Sequence, residues 1–234
     1  MADVATSLDL LTRAEVRLKG RMPRASNATF LAELHLDGQT ALAVYKPLRG
    51  ERPLWDFPAG LFKREVAAYE LSQALGWGLV PPTVRRDGPL GEGSIQLFVP
   101  ADFEQHYFTL LEDPTHHDAL RHLCAFDLVA NNADRKSGHC LLGPDGRIYA
   151  VDNGLTFHVE PKLRTVIWEF AGEPVPEPIL EDLARLGEAG LPRVLVALLA
   201  PAEREALRAR ADALLRKRRF PRDASGQRYP WPPV

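Results

Sequence analysis

The hydrophobic pattern of this 234-residue chain changes near residue 100, and that change limits the fold more than any other feature. Before it, the segments FLAELHL (30–36) and TALAVYK (40–46) alternate apolar and polar residues about an Asp-Gly pair, which is typical of a β-hairpin. A helical stripe over residues 62–75 follows, and two glycines end it. Further strands are predicted over residues 79–84 and 94–99, and residues 9–19 have helix-like spacing.

Beyond residue 115 the apolar residues recur at helical spacing. The predicted helices cover residues 118–130, 178–187, 192–199 and 202–220, and a short hairpin around Pro-Asp-Gly covers residues 140–142 and 147–151. We therefore expect an α+β chain of two lobes, with a small β-rich N-lobe over residues 1–100 and a mainly helical C-lobe over residues 101–234. A cleft between two lobes is a usual place for a ligand.

The composition excludes several classes of protein. With 29 basic and 31 acidic residues the net charge is −2, so no nucleic-acid partner is expected. The only two cysteines, Cys124 and Cys140, suit a reducing compartment, and we expect a cytoplasmic protein. The sequence has no apolar run long enough to span a membrane and no secretory signal, which leaves at most a weak peripheral membrane contact.

Two charged residues of the first hundred stand out. Lys46 ends the apolar strand ALAVYK, where a buried ammonium would need a partner, although a lysine at a strand end is also common in solvent. Glu65 lies early in the following helix, where it is either such a partner or a glutamate favoured by the helix dipole.

Two aspartates flank the predicted hairpin of the second part. Asp134 precedes it in NNADRKSGH and Asp152 follows it in AVDNG, so a hairpin would bring the two carboxylates toward one space. With Asn132 or His139 nearby they would form a divalent-metal site, because two facing carboxylates repel unless a cation lies between them. The alternative is two surface turns, each with an aspartate that caps its own backbone.

The order of these features indicates phosphoryl transfer. A strand lysine, a helix glutamate, an aspartate in a polar loop and a second aspartate after a hairpin follow one another as in kinases. In such a site the lysine binds phosphates and the glutamate holds the lysine. One aspartate orients the acceptor hydroxyl, and the other holds the metal ion.

Five segments carry a family resemblance: VYKP (44–47), EVAAYELSQALGWGLVPPT (65–83), GSIQLFV (93–99), NNADRKSGH (131–139) and AVDNGLTF (150–157). In this order they resemble the phosphatidylinositol 3-/4-kinase group, most closely type II phosphatidylinositol 4-kinases, and a related actinobacterial family. The resemblance implies a two-lobed protein-kinase-like fold that binds ATP and Mg²⁺ or Mn²⁺ in its cleft.

The resemblance also implies roles by position. Lys46 and Asp134 become the phosphate-binding lysine and the catalytic aspartate, Glu65 the partner of the lysine, and Asp152 the metal-binding aspartate. The phosphate-covering loop would contain Ser26 and Asn27, and the hinge that contacts adenine would contain Gln96, Leu97, Phe98 and Val99.

The sequence departs from the family pattern at two places. His139 stands where the group carries a metal-binding asparagine; either it binds the metal, which would favour Mn²⁺, or Asn132 replaces it, or the activity is weakened. Residues 49–64 lack the cysteine-rich, palmitoylated insertion of type II lipid kinases. Aromatic and apolar residues there are expected to pack under a loop, with a membrane or partner contact as the alternative; they are Trp55, Phe57, Leu61 and Phe62.

The function expected from this resemblance is transfer of the ATP γ-phosphate to a hydroxyl acceptor. The acceptor is a phosphoinositide, a protein or a small molecule, and the sequence does not choose among them. Two alternatives remain: a serine/threonine protein kinase of the HipA kind, and a nucleotide-binding pseudokinase with little or no catalysis.

Overall fold

A computed structural model describes residues 4–23 and 26–233. Its helices and strands, in chain order, are α1 (Val4–Arg13), β1 (Glu15–Arg21), β2 (Phe30–Leu36), β3 (Gln39–Pro47), α2 (Leu61–Ala74), β4 (Thr83–Gly88), β5 (Gly91–Leu97), α3 (Tyr107–Leu111), α4 (His117–Ala130), β6 (Cys140–Leu142), β7 (Ile148–Ala150), α5 (Glu177–Ala189), α6 (Arg193–Leu198) and α7 (Pro201–Lys217). Among these helices none is long and apolar enough to cross a membrane.

The first five strands form one antiparallel sheet in the order β1-β2-β3-β5-β4. The hairpin of β2 and β3 turns at Asp37 and Gly38, whose φ angles of 48° and 79° are both left-handed, as the tightest hairpin turns require. One face of the sheet packs against α1 and forms a small apolar core, made of Leu10, Leu11, Ala14, Ala32, Leu34, Ala43, Tyr45 and Ile95.

Helix α2 lies between this sheet and the helical part. The carboxylate of Glu51 accepts hydrogen bonds from the backbone N–H groups of Gly60 and Phe62, both at 2.8 Å, and so satisfies the start of the helix. Apolar side chains of α2, among them Tyr69 and Leu71, belong to the large core that α4, α5 and α7 also build. The helix therefore contacts both the sheet, through β4 and β5, and the helical part, through α6.

Four predictions of secondary structure differ from the structure by three residues or more. The helix expected over residues 202–220 ends at Lys217. The expected helix over residues 9–19 ends at Arg13, and β1 follows, because Val16 and Leu18 alternate with exposed charged residues as in an edge strand. The strand expected over residues 79–84 begins only at Thr83, since two prolines before it have no N–H to donate. The strand expected over residues 94–99 runs from Gly91 to Leu97.

Candidate active site

Strand β3 carries Lys46 to the inner side of the cleft. Successive side chains of a strand point to opposite faces, so Tyr45 enters the small core and Lys46 faces the other way. There its ammonium donates to a carboxylate oxygen of Glu65 and to Oδ1 of Asp152, at 2.7 Å. Burial acts to lower the pKa of Lys46, but the two carboxylates outweigh it and raise the pKa above its usual value.

Glu65 joins three parts of the site. Its side chain is almost fully buried on α2, and besides Lys46 it accepts a hydrogen bond from the backbone N–H of Asn153, at 2.9 Å. The helix glutamate thus holds the strand lysine and the loop of Asp152 at once. A side chain at Gly154 would lie 3.3 Å from this carboxylate, so the small residue leaves room for the contact.

Asp152 follows β7 with a left-handed φ of 56°, and its side chain is 54 % exposed. The charge of Lys46 is the main cause that lowers its pKa well below the usual range, against the opposing effect of burial. Across from it lies His139, whose Nε2 is 3.5 Å from Oδ2 of Asp152. Burial lowers the pKa of His139 to about 4, so the imidazole is neutral at pH 7.

Asp134 lies on the loop after α4 and lines a cavity that Lys46, Glu65 and Asp152 also line. Burial raises the pKa of this carboxyl to about 6, while Lys136, with Nζ 3.7 Å from Oδ2, acts in the opposite direction. The carboxylate remains one-third exposed. Its environment is therefore that of a base that is ionised at neutral pH but close to titration.

Asn132, one of the candidate metal ligands, faces away from this cavity. It is fully buried; its Oδ1 accepts from the backbone N–H of Asp134 at 3.0 Å, and its Nδ2 donates to Asp127 at 3.1 Å. Both amide atoms of Asn132 are therefore hydrogen-bonded within the protein, and the residue does not line the cavity.

A buried ion pair that sequence reasoning missed joins the two aspartate loops. Asp127 of α4 and Arg135 are both fully buried and lie 3.0 Å apart. The guanidinium of Arg135 also donates to the backbone oxygen of Val151 at 2.7 Å and to Oδ1 of Asn153 at 2.6 Å. The only signal in the sequence is a carboxylate within the apolar helical segment AFDLVA.

The charged residues meet at a cavity of about 280 Å³. Its wall includes Ser26 and Asn27 of the segment between β1 and β2, so the structure brings this segment to the same space as the lysine and the aspartates. The other lining residues are Ala28, Thr29, Lys46, Pro47, Glu51, Arg52, Leu54, Leu61, Phe62, Glu65, Asp134, Asp152, Gly154 and Leu155.

The segment expected to be the hinge does not line this cavity. Gln96 donates its side-chain amide to Thr83, and the backbone N–H groups of Leu97 and Phe98 donate to the carbonyls of Pro82 and Leu42. Val99 is buried in a separate apolar cluster with Leu141 and Tyr149, which Ala101 and Val151 border.

The segment of residues 49–64, which includes the loop before α2 and the start of that helix, has buried and exposed parts. Phe57, Leu61 and Phe62 are buried as expected, whereas Trp55 is 96 % exposed. Lys162 lies over the rings of both Trp55 and Phe57 and pairs with Asp56 at 3.1 Å.

The donor set fits a divalent cation that is shared with phosphate. Over residues 4–23 and 26–233, no group of three or more His, Cys, Asp and Glu side chains would hold a metal alone. Mg²⁺ at phosphate sites is commonly bound through one or two carboxylates together with the phosphates of the substrate. The half-exposed carboxylate of Asp152, with a neutral imidazole beside it, meets that requirement.

The fold is protein-kinase-like, and the predicted fold class is confirmed by solved structures. The Helicobacter pylori proinflammatory kinase CtkA has a TM-score of 0.53 and 13 % identity, over 88 % of this chain and 93 % of that chain. A structure of hydra Fam20 with sugar has a TM-score of 0.57 and 14 % identity, over 92 % of this chain and 88 % of that chain.

Within that class, the chain belongs to the family of Protein Rv2133c from Mycobacterium tuberculosis (strain ATCC 25618 / H37Rv). The two are 43 % identical over an alignment of 260 positions, which covers 95 % of this chain and 94 % of the relative. No family model matches the sequence.

Proposed function

We propose that this protein is an ATP-dependent phosphotransferase of the phosphatidylinositol-kinase-like superfamily. One observation carries the proposal: Lys46 meets both Glu65 and Asp152, and Asp134 lines the same cavity. Residues 1–100 and 101–234 would act as the two lobes on either side of the nucleotide. The acceptor is a hydroxyl group.

The residues have distinct tasks in this proposal. Lys46 binds the nucleotide phosphates and Glu65 holds it in place. Asp152 and His139 hold the divalent ion, which when bound offsets the negative charge of the phosphates. Asp134, a carboxylate at neutral pH, orients the acceptor hydroxyl and accepts its proton. Backbone N–H groups around Ser26 and Asn27 cover the phosphates.

Adenine recognition is assigned to the end of the predicted hinge of Gln96, Leu97, Phe98 and Val99. The N–H groups of Leu97 and Phe98 are already bonded within the protein, and the carbonyl of Val99 accepts from the N–H of Ala101 at 2.8 Å, which leaves the N–H of Val99 for the base. The partly exposed side chains of Ala101 and Val151, which border the buried cluster of Val99, supply a surface against which a flat base would pack.

Two substitutions test the proposal. Lys46→Ala and Asp152→Ala should each abolish ATP turnover in Mg²⁺ or Mn²⁺ and leave the far-ultraviolet circular dichroism spectrum unchanged. Lys63→Ala is the matched control, because Lys63 is on α2 but does not line the cavity. Full turnover by either cleft variant would show that the assignment of the site is wrong.

The acceptor class is tested with labelled ATP. Incubation with the protein itself, with extracted lipids and with small hydroxyl compounds separates the options by where the label appears. Label on protein would favour the HipA-like alternative over a lipid kinase. ATP binding with transfer to none of these acceptors would favour the pseudokinase, an alternative that the histidine facing Asp152 motivates.

A further inference from the structure

The chain beyond α7 returns to the catalytic loop as an extended segment, residues 219–233, which we call the strap. It begins with two main-chain hydrogen bonds. The N–H of Gly172 donates to the carbonyl of Phe220 at 2.9 Å, and the N–H of Phe220 donates to the carbonyl of Glu173 at 3.0 Å. Phe220 is buried in the large core and anchors the start of the strap.

Asp223 stabilises a turn in the middle of the strap. Its carboxylate accepts hydrogen bonds from the backbone N–H groups of Ser225, at 3.0 Å, and Arg228, at 2.9 Å. The carbonyl of Arg228 then accepts from the N–H of Thr165 at 3.0 Å and from the indole of Trp168 at 3.3 Å.

The end of the strap reaches the loop that carries Asp134. The carbonyl of Pro233 accepts a hydrogen bond from the backbone N–H of Ser137, at 2.8 Å. Ser137 is fully buried and begins the turn Ser137–His139. This turn ends at the imidazole that faces Asp152.

The segment around Thr165 lies between the strap and the catalytic loop. The N–H of Arg135 donates to the carbonyl of Arg164 at 3.0 Å, and the N–H of Val166 donates to the carbonyl of Arg135 at 3.1 Å. The strap, this segment and the catalytic loop are therefore joined by main-chain hydrogen bonds.

The strap supports the site without entering it. No strap residue lines the cleft cavity, and most of residues 221–229 are exposed. A segment held by a few main-chain bonds, with little apolar burial between its ends, opens more readily than a core element.

We propose that the strap is a positioning element of the catalytic loop, which holds the Ser137–His139 turn and thereby fixes Asp134 and His139 relative to Asp152. The inference rests on the proposed function for its catalytic consequence. Its structural content, the restraint of the loop by the carbonyl of Pro233, does not depend on that function.

The kinetic test compares the full chain with a shortened one. A protein that ends at Phe220 keeps the anchor and should lose at least tenfold in kcat, with KM for ATP changed less than twofold because Lys46 is untouched. A synthetic peptide of residues 221–234, added in trans, should restore kcat, and the same peptide with Asp223→Ala should restore less. Trp231→Ala in the full chain is the control, since this side chain is 88 % exposed.

A second variant and a second readout separate the inference from the proposed function. A chain that ends at Trp231 lacks only the last contact, and hydrogen exchange of the Ser137 amide should become at least tenfold faster in it. Unchanged exchange, or full kcat in both shortened chains, would overturn the positioning role. Faster exchange in a protein without any ATP turnover would support the strap contact and contradict the proposed function.

Discussion

At the cleft, charge and burial set the protonation of each residue differently. Lys46 and Asp152 stabilise each other in the charged form, so the pKa of the lysine rises and that of the aspartate falls. Burial is the main cause that raises the pKa of Asp134, and it outweighs the opposing charges of Lys136 and Arg135. Two carboxylates of one cavity therefore have different basicity, and the more basic one is the proposed proton acceptor.

Asp134→Asn should abolish phosphoryl transfer and make the protein more stable. The folded-state pKa of about 6 lies above the ordinary value of 3.8, so the ionised carboxylate costs stability increasingly as the pH rises through this window. Allowing for solvent screening of a partly exposed group, the gain at pH 7.5 is about 1 to 2 kcal/mol. Urea unfolding at pH 7.5 and pH 4 measures it.

The gain should vanish at pH 4, where the wild-type carboxyl is protonated, and wild-type turnover should fall as the pH drops through about 6. Asp212→Asn, at an exposed position of α7, removes the same charge and should change neither property. An Asp134→Asn protein that is less stable at pH 7.5 would contradict the burial of this charge.

His139→Asn should raise turnover with Mg²⁺ relative to Mn²⁺. An amide oxygen is a harder ligand than an imidazole nitrogen and suits Mg²⁺ better. The measured quantity is the ratio of kcat in the two metals, and His35→Asn is the control, because this histidine of β2 pairs with Glu33 and not with Asp152. An unchanged ratio would remove His139 from the metal site.

At the scale of elements, local periodicity was sufficient for the hairpin, for α2 and for α4. Burial alternates along the inner end of β3, and the large apolar residues of the two helices recur at helical spacing although both helices are buried on most sides. It failed for β1, a short edge strand in which charged residues make up most of one face. Ion pairs between residues far apart in the chain do not appear in the periodicity of the sequence. The bond between Arg64 and Glu203, 139 positions apart, and the strap contact at Ser137 were therefore beyond sequence reasoning.

Arg64→Ala should cost about 3 to 5 kcal/mol of unfolding free energy, the usual result of removing one member of a buried ion pair. From α2 the guanidinium of Arg64 donates to the carbonyl of Thr156 and to Glu203 of α7, and both side chains of the pair are largely buried. Chemical denaturation of the single variants and of the double variant with Glu203→Gln gives the coupling between them.

Arg185→Ala is the matched control for this element contact. Its ion pair with Asp182 is on the surface, with the arginine 57 % exposed, and should contribute less than about 1 kcal/mol. Equal losses in the two arginine variants would mean that the α2–α7 contact is no stronger than a surface pair. Because Glu65 adjoins Arg64 in α2, the contact also restrains the helix that holds Lys46.

For the whole molecule, the two apolar cores place the cleft at a boundary. The sheet and α1 share the small core, whereas α2 packs into the large core with the helical part. Lys46 comes from the sheet, and Asp134 and Asp152 come from the helical part. A ligand that contacts all three residues would therefore link elements that otherwise have separate cores.

ATP with Mn²⁺ should raise the melting temperature of the whole chain. A ligand at one hundred times its Kd adds about 2.7 kcal/mol to the folded state. For a chain of this length each kcal/mol shifts the midpoint by roughly 2 to 4 °C, so we expect a shift of about 5 to 10 °C in differential scanning fluorimetry. Lys46→Ala should lose this shift and Lys63→Ala should keep it, because only Lys46 lines the cavity. A wild-type protein whose midpoint does not respond to nucleotide would show that the cleft does not bind ATP, whatever its resemblance to a kinase.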